Sequence, residues 1–274
     1  MKFYTVLIQS LLVLIYSAHS QAVDQVVHVA IDHAPPYSRL SDDSRSQGLI
    51  LDILRYAQLT SEKKYKINTV PCPFSRCVRL LSKGKVDVMG GLIKTPERQK
   101  IMSFVEPPYM VLSSSFVFYG TEISGIEVNS YDDLRGKRIA VMRGGAFFPR
   151  FDKDNSLNKV AVPSERVAVD LVLKGRVDLV IAVEDTADVA MSVLDQPIHK
   201  LKKMKYRHTQ EIYGYMAMSS DFASSQLGSL ISKQMHEMAR DKTLDKLVAP
   251  YHLPKIPTHL IEPPKASAAS FSPR

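Results

Sequence analysis

The chain has 274 residues, of which 45% are hydrophobic and 23% are charged, and its formal net charge at neutral pH is +8. This composition is typical of a globular protein. The positive charge would suit an anionic ligand or nucleic acid, but the basic residues are interspersed with acidic ones and no nucleic-acid-binding motif occurs, so we expect no nucleic-acid partner.

The first 22 residues have the pattern of an export signal. Lys2 is followed by an apolar run over 6–16 and then by small residues, so that cleavage fits best after Ser20 or after Ala22. No cysteine follows that could carry a lipid anchor, and the apolar run is shorter than the roughly 20 residues of a membrane span. We therefore predict a periplasmic protein that is secreted through a cleaved signal peptide.

Cys72 and Cys77 are the only cysteines in the chain. Export would place them in an oxidising compartment, where disulfides persist. Two buried thiols and a disulfide both remain possible, because helical spacing would hold the pair too far apart unless Cys72 precedes the helix. The pair is too small for a zinc site, and we expect neither a metal nor a cofactor.

Short apolar runs alternate with amphipathic segments, which is typical of an α/β protein with mostly parallel sheets. A final helical pattern over 227–238 is expected to pack back on the body of the protein. The predicted strands cover 26–31, 65–70, 86–92, 138–142, 159–162 and 177–183, and the other predicted helices cover 48–59, 75–82, 164–173 and 185–194.

An internal repeat relates residues 80–89 to residues 171–180. In both copies a glycine, Gly84 or Gly175, can end a helix in the left-handed conformation, and an aspartate three residues later opens a buried strand. A match of this length, placed once in each half of the chain, predicts two similar lobes.

Two extended apolar segments, 111–119 and 212–218, fall where the chain would cross between the lobes and form a hinge. The C-terminal residues are rich in Pro, Ser, Ala and Lys, which favours disorder. The predicted organisation is a signal peptide over 1–22, a first lobe over 23–117 plus 219–254, a second lobe over 118–218, and a disordered tail over 255–274.

Several short motifs occur in a fixed order between residues 26 and 251. They are Ala34-Pro35-Pro36-Tyr37, Gly48-Leu49-Ile50-Leu51-Asp52-Ile53, Gly84-Lys85-Val86-Asp87, Thr95-Pro96-Glu97-Arg98, Phe104-Val105-Glu106-Pro107-Pro108-Tyr109, Asp133-Leu134-Arg135-Gly136-Lys137 and Gly175-Arg176-Val177-Asp178. In this order they make the chain resemble a divergent, amino-acid-binding-protein-like member of the family 3 extracellular solute-binding proteins, which deliver amino acids and similar polar solutes to ABC importers.

The resemblance implies a type II, periplasmic-binding-protein-like clamp with two lobes, each a mostly parallel sheet flanked by helices. The ligand, a small solute, would lie in the cleft between them. A membrane permease or receptor would be the protein partner, and the chain would act as a monomer without enzymatic activity.

The segment from Thr95 to Arg98 is expected to start a helix. Thr95 is a good N-cap, Pro96 suits the first helical position, and Glu97 suits the positive end of the helix dipole. Arg98 opposes that dipole by roughly 0.3–1 kcal/mol, so it needs an anionic partner or full solvation. The resemblance implies that Arg98 grips a ligand carboxylate, for which a guanidinium offers two parallel donors.

Other cleft residues follow in two ways. The resemblance implies that two aromatic side chains offer apolar faces and that a glycine pair in the first lobe lets backbone approach the ligand, although aromatic residues near strand ends are often plain core. In the second lobe, a glycine pair between a strand and a predicted helix could present backbone N–H groups to a polar ligand. These residues are Tyr37, Phe74, Gly90, Gly91, Gly144 and Gly145.

The second lobe departs from the family pattern. Where amino-acid-binding members place an aspartate for the ligand's ammonium group, this chain has Val183, and Glu184 or Asp185 would have to replace it. Ile93 and Gly145 also stand where typical members have hydroxyl residues.

Two alternative functions stay open. The first is a ligand sensor that docks on a membrane receptor, because its cleft would have the same chemistry as that of a transport protein. The second is a dehydratase-like enzyme with Glu184 as its general acid or base. The sequence has no Ser-His-Asp order and no cofactor loop, so we expect a binding protein.

Overall fold

The computed structural model describes residues 25–40, 46–61, 64–112, 115–184 and 200–262. The predicted signal peptide and the predicted helix over 185–194 therefore lie outside the described residues. The described strands, in chain order, are β1 (Gln25–Ile31), β2 (Ser38–Arg39), β3 (Gln47–Gly48), β4 (Tyr65–Pro71), β5 (Val88–Leu92), β6 (Ser103–Leu112), β7 (Ser115–Thr121), β8 (Arg138–Met142), β9 (Asn158–Val162), β10 (Leu179–Val183), β11 (Leu201–Thr209) and β12 (Ile212–Met218).

The described helices pack on these strands, and among them none is long and apolar enough to cross a bilayer. They are α1 (Leu49–Thr60), α2 (Phe74–Ser82), α3 (Pro96–Gln99), α4 (Pro149–Lys153), α5 (Glu165–Leu173), α6 (Ser220–Ala223), α7 (Gln226–Arg240), α8 (Thr243–Val248) and α9 (Thr258–Ile261), with 3-10 turns at Glu122–Ser124, Tyr131–Leu134 and Ala249–Tyr251.

Two five-stranded sheets organise the described part of the chain. The first has the order β4-β1-β5-β12-β6, in which β1 runs parallel to β4 and β5, and β12 runs antiparallel to β5 and β6. The second has the order β11-β7-β10-β8-β9, in which β8 runs parallel to β9 and β10, and β7 runs antiparallel to β10 and β11. In each sheet four strands share one direction, so the predicted α/β fold with mostly parallel sheets is confirmed.

The internal repeat forms the same unit in both sheets. Gly84 and Gly175 have φ angles of 62° and 63°, the left-handed conformation that ends each helix. Asp87 accepts a hydrogen bond from the His28 backbone N–H at 2.7 Å, and Asp178 accepts one from the Arg138 backbone N–H at 2.7 Å. Each aspartate therefore fastens its strand to the neighbouring parallel strand, which gives the repeated residue a structural role.

The C-terminal helix pattern also forms as predicted. The side chains of Leu227, Ile231 and Met235 are buried at helical spacing, and the Ser225 hydroxyl caps the helix by accepting from the Gly228 backbone N–H at 3.0 Å. The side-chain amide of Gln234 donates to the carbonyl of Ala57 at 2.8 Å, which ties α7 to α1 in the first lobe.

Sheet membership differs from the predicted lobe boundaries at both crossings. Strand β7 lies in the second sheet from Ser115 onwards, and all of β12 lies in the first sheet, where its apolar side chains are buried against β5 and β6. The two crossings are adjacent, because the hydroxyl groups of Ser115 and Thr209 form a hydrogen bond of 3.0 Å.

The prediction of a disordered tail from residue 255 is wrong for residues 255–262. Ile256 and Ile261 are only 3% and 4% exposed, and the Ile256 backbone N–H donates to Asp245 at 3.1 Å. Burial of these two isoleucines outweighs the proline-rich composition. Residues 263–274 lie outside the described part of the chain.

Candidate ligand-binding cleft

A cavity of about 820 Å³ lies between the two sheets and is lined by residues from both. It sits where parallel strands β1, β5 and β8 end, which is the edge where open α/β sheets bind ligands. Its volume is within the range of small-molecule sites.

The start of α3 is built as the sequence predicts. The Thr95 hydroxyl accepts a hydrogen bond from the Arg98 backbone N–H at 3.2 Å, and Pro96 occupies the first helical position. This cap fixes the direction in which the Arg98 side chain leaves the helix, which is into the cavity wall.

Arg98 is buried, with 8% of the residue exposed. Its two terminal nitrogens donate to backbone carbonyls, Nη1 to Ile93 at 2.7 Å and Nη2 to Gly144 at 2.8 Å. Its guanidinium also lies 5.9 Å from the centre of the Phe74 ring. Because Gly144 follows a strand of the second sheet, Arg98 links the two lobes across the cleft.

The charge of Arg98 is not neutralised at close range. Burial lowers its pKa to about 10, and the more distant charge of Asp152 acts in the opposite direction. Within the described ranges, no carboxylate lies within ion-pair distance of the guanidinium. A buried cation whose hydrogen bonds go to neutral carbonyl groups is a favourable partner for an anionic group.

The cavity wall contains most of the residues that the sequence predicts to bind the ligand. Tyr37, Phe74 and the backbone of Gly90 and Gly91 lie on the first lobe, and Gly145 lies on the second. Thr95 and Gly144 are not in the wall and reach it only through Arg98.

The two glycines of β5 have a local packing reason. A methyl group on Gly90 would overlap the Tyr109 hydroxyl and approach Ile50 to 2.7 Å. Gly91 has a φ angle of +71°, a left-handed conformation that favours glycine. The Gly-Gly pair therefore lets a buried tyrosine pack directly behind the cavity wall.

The Cys72–Cys77 pair is bonded, with its Cα atoms 5.4 Å apart. Cys72 precedes α2 and Cys77 lies within it, which is the arrangement that the spacing argument requires. The bridge fixes the turn that carries Phe74, and both Cys72 and Phe74 line the cavity.

Glu184, which the sequence suggests as the contact for the ligand's ammonium group, does not line the cavity. The preceding residue, Val183, is the last residue of its strand in the cavity wall. Its carboxylate instead contacts Lys203 at 3.1 Å and Arg207 at 3.0 Å, both on β11. Glu184 follows the last residue of β10, and its two contacts hold its carboxylate against β11.

Sequence reasoning missed two acidic residues of the cavity wall, Asp32 and Glu165. Asp32 directly follows β1 on the first lobe, and Glu165 is the first residue of α5 on the second, behind its cap Ser164. Their positions at the carboxyl edge of each sheet are the signal that could have identified them.

The environment disfavours the charged forms of both carboxyl groups. Burial in the cleft, and then the negative charge of Asp32, raises the pKa of Glu165 to about 7. Burial also raises the pKa of Asp32, although hydrogen bonds and the neighbouring His33 act against the shift. Among the described residues Glu165 has neither a hydrogen-bond partner nor an ion-pair partner.

Two lobes of mostly parallel sheet, joined by two adjacent crossings and separated by a cavity, define a periplasmic-binding-protein-like fold of type II. The model of one family matches residues 27–254. The chain belongs to the bacterial extracellular solute-binding proteins, family 3. No curated protein matches the sequence.

Solved structures share this fold at low sequence identity. Holo ArgBP from T. maritima is 20% identical, with a TM-score of 0.65 over 83% of this chain and 96% of that one. An amino acid ABC transporter substrate-binding protein from Streptococcus pneumoniae, bound to L-arginine, is 21% identical, with a TM-score of 0.63 over 82% and 93%. A histidine kinase sensor domain is 16% identical, with a TM-score of 0.68 over 84% and 96%.

Proposed function

We propose that this protein captures a small polar solute bearing a carboxylate, an amino acid or a related compound, and delivers it to an ABC importer. The observation that carries the proposal is the Arg98 guanidinium, which is buried in the cavity wall and, among the described residues, donates to two neutral carbonyl groups and pairs with no carboxylate. A carboxylate can accept from a guanidinium through two parallel hydrogen bonds. The similar structures bound to arginine or glutamine support an amino acid as the solute.

The proposal includes export, monomeric action and no catalytic role. The small residues before Gln21 and Val23 fit the cleavage site of a signal peptidase, so the mature chain should begin at one of these two residues. N-terminal sequencing of the periplasmic fraction tests this, and recovery of intact Met1 from the cytoplasm would contradict it. Glu184 is paired with two cations outside the cavity wall, so we assign it no acid–base function.

A thermal-shift screen against amino acids, organic acids, sugars and polyamines tests the ligand class. A solute at one hundred times its dissociation constant adds about 2.7 kcal/mol to the free energy of unfolding. We expect the strongest shifts from compounds that carry a carboxylate. A sugar or a polyamine as the tightest ligand would contradict the proposal.

Arg98→Ala tests the residue that carries the argument. Truncating one partner of a buried charge pair costs roughly 2–5 kcal/mol, which is a loss of affinity of about thirtyfold or more in calorimetry. Arg98→Lys should recover only part of the affinity, because an ammonium group lacks the planar two-donor geometry. The matched control is Arg55→Ala, since Arg55 also donates to a backbone carbonyl but lies on the outer side of α1 beside Asp52.

Ligand sensing is the second candidate function, and the similarity to a histidine kinase sensor domain favours it. The two functions differ in the membrane partner. Deleting the gene should abolish uptake of the radiolabelled solute if the protein serves an importer. If it serves a receptor, uptake should persist and the solute-induced response should be lost.

A further inference from the structure

A second groove lies on the first lobe and shares no wall residue with the cleft. It has a volume of about 600 Å³ and lies between α8, which packs against α1 and α7, and the segment that leads into α9. We propose that this groove binds a phosphate-bearing anion, either a soluble phosphate compound or the headgroup of an anionic lipid. The site is independent of the solute that the cleft binds.

Three lysine side chains line the groove, and all three residues are exposed to solvent. Lys242 directly precedes α8, Lys246 lies within α8, and Lys255 comes from the facing segment. Asp245 is the one acidic residue of the described wall, which leaves the wall with a net charge of +2. None of the three lysines has an ion-pair partner among the described residues. The groove therefore collects positive charge that the protein itself does not neutralise.

The carboxylates next to these lysines hydrogen-bond the backbone. Asp245 accepts from the Ile256 backbone N–H at 3.1 Å, which joins the two sides of the groove. Asp241, at the end of α7, accepts from the Thr243 backbone N–H at 2.9 Å. Hydrogen bonds from Thr243 lower the pKa of Asp241, and the more distant charge of Lys246 acts in the same direction. The two aspartates thus fix the shape of the groove and leave room for an external anion.

The backbone of Lys242 gives an independent reason to assign a role to its side chain. Its φ angle is +67°, in the left-handed region that favours glycine. A residue with a side chain is less stable there, so glycine would suit the turn before α8 better than lysine does. Because the turn itself does not need a lysine, the side chain in the groove wall points to a binding role.

The chemistry of the wall favours phosphate over carboxylate. A carboxylate is bound best by the planar fork of an arginine, and no arginine lines the described groove. Lysines act as point charges, and several of them can share the oxygens of one phosphate. The rest of the wall offers apolar surface and one hydroxyl group, which suits a phosphate ester with a short carbon chain. These residues are Ala249, Ile256, Pro257 and Thr258.

Two sets of probes separate the sources of phosphate. Inorganic phosphate and glycerol 3-phosphate are titrated into the isotope-labelled protein and followed by two-dimensional NMR, with acetate as the carboxylate comparison. Vesicles of phosphatidylglycerol are tested by cosedimentation beside vesicles of zwitterionic phosphatidylcholine. We expect the phosphates to shift the backbone amides of α8 and of residues 255–258 more than acetate does. A response to phosphatidylglycerol vesicles alone would assign the groove to the lipid headgroup, and a response to the soluble compounds alone would assign it to those.

Substitutions of the groove lysines test the contacts with whichever probe responds. Lys242→Gln, Lys246→Gln and Lys255→Gln should each weaken its binding by about fivefold, and the triple variant by about a hundredfold. Lys242→Gly separates binding from folding, because glycine suits the left-handed turn: the melting temperature should rise while binding weakens as in Lys242→Gln. Wild-type binding by Lys242→Gly would overturn the proposal.

The control removes the same charge from the first lobe outside the groove. Lys64, Lys83 and Lys85 are exposed and have no ion-pair partner among the described residues, so their triple substitution by glutamine is matched to that of the groove lysines. This variant should bind the probe as the wild type does. An equal loss in both triple variants would mean that only the overall charge of the protein matters, and the groove site would be wrong.

The outcomes also separate the groove from the proposed function. Every groove variant should bind the cleft solute with wild-type affinity, because the two sites share no residue. Phosphate shifts confined to the cleft around Arg98 would show that phosphate enters the solute site, and would overturn the groove proposal while leaving the cleft as an anion site. No response to any of the phosphate probes would overturn it as well. Failure of the cleft to bind any carboxylate would refute the proposed function and leave the groove site standing.

Discussion

The affinity for a cationic solute should depend on pH through Glu165. Its carboxyl group has a pKa of about 7, because burial and the charge of Asp32 disfavour the ionised form. The pKa is raised, so the group is mainly neutral below pH 7 and charged above it. Binding of a cation should therefore strengthen as pH rises through 7.

The size of the effect follows from the pKa. If only the ionised form binds the cation, affinity falls tenfold for each pH unit below the pKa, so binding at pH 5 should be about a hundredfold weaker than at pH 8. The negative charge of Asp32 acts on the titration of Glu165, so the two carboxyl groups are coupled. Binding near pH 7 should also release a proton.

The assay is titration calorimetry of the tightest compound between pH 5 and pH 8, repeated in buffers with different ionisation enthalpies to count released protons. Glu165→Gln should bind weakly at every pH and release no proton, whereas Asp170→Asn should follow the wild-type curve, because Asp170 lies on the same helix but pairs with Lys174 at 2.8 Å away from the cavity. His33 also lies in the cavity wall and acts on Asp32, so a slope that persists in Glu165→Gln would assign the titration to another group. A flat wild-type profile would refute the reasoning.

Three further predictions concern stability and covalent structure. The folded-state pKa of Glu165 is raised from 4.5 to about 7, so the unliganded protein should lose stability as pH rises across that interval. In urea denaturation, Glu165→Gln should be more stable than the wild type at pH 8 by about 1–3 kcal/mol. At pH 4 the variant should have no such advantage. Gly90→Ala should lower the free energy of unfolding by about 1–3 kcal/mol, because the added methyl group overlaps the Tyr109 hydroxyl; an unchanged melting temperature would contradict this packing. Mass spectrometry after alkylation of the native protein should find Cys72 and Cys77 unlabelled, and two labelled thiols would show that the bridge is absent. Reduction of the bridge should lower the free energy of unfolding by about 2 kcal/mol without loss of binding.

Local features of the fold could be predicted from the sequence. The left-handed glycines Gly84 and Gly175 and the Thr95 cap depend on residues within one helical turn, so the pattern of neighbours was sufficient. The repeat also predicted two similar sheets, because each copy contains a complete helix–turn–strand unit. These features depend on short-range hydrogen bonds and burial.

The acidic pair could not be predicted in this way. An acidic residue in the first turn of a helix is ordinary, so the helix pattern alone does not mark Glu165, and its position after β9 at the carboxyl edge of the sheet is the signal that remains. Its position in the cleft depends on how the second sheet faces Asp32, more than one hundred residues earlier in the chain. The suggestion that Glu184 contacts the ligand differs from the structure for a similar reason. The partners of Glu184 lie on β11, an antiparallel edge strand, and no local sequence pattern shows where that strand lies in the sheet.

The adjacent crossings make the second lobe a continuous insertion. Leu112 and Ile212 are directly opposite each other on β6 and β12, while Ser115 and Thr209 are directly opposite each other on β7 and β11. Removing residues 113–211 would leave two antiparallel strand ends that a two-residue turn can rejoin as a hairpin. The lobe that carries Glu165 could therefore be replaced as one continuous segment. A different second lobe could be joined to the lobe that carries Arg98 without altering the path of the chain on either side.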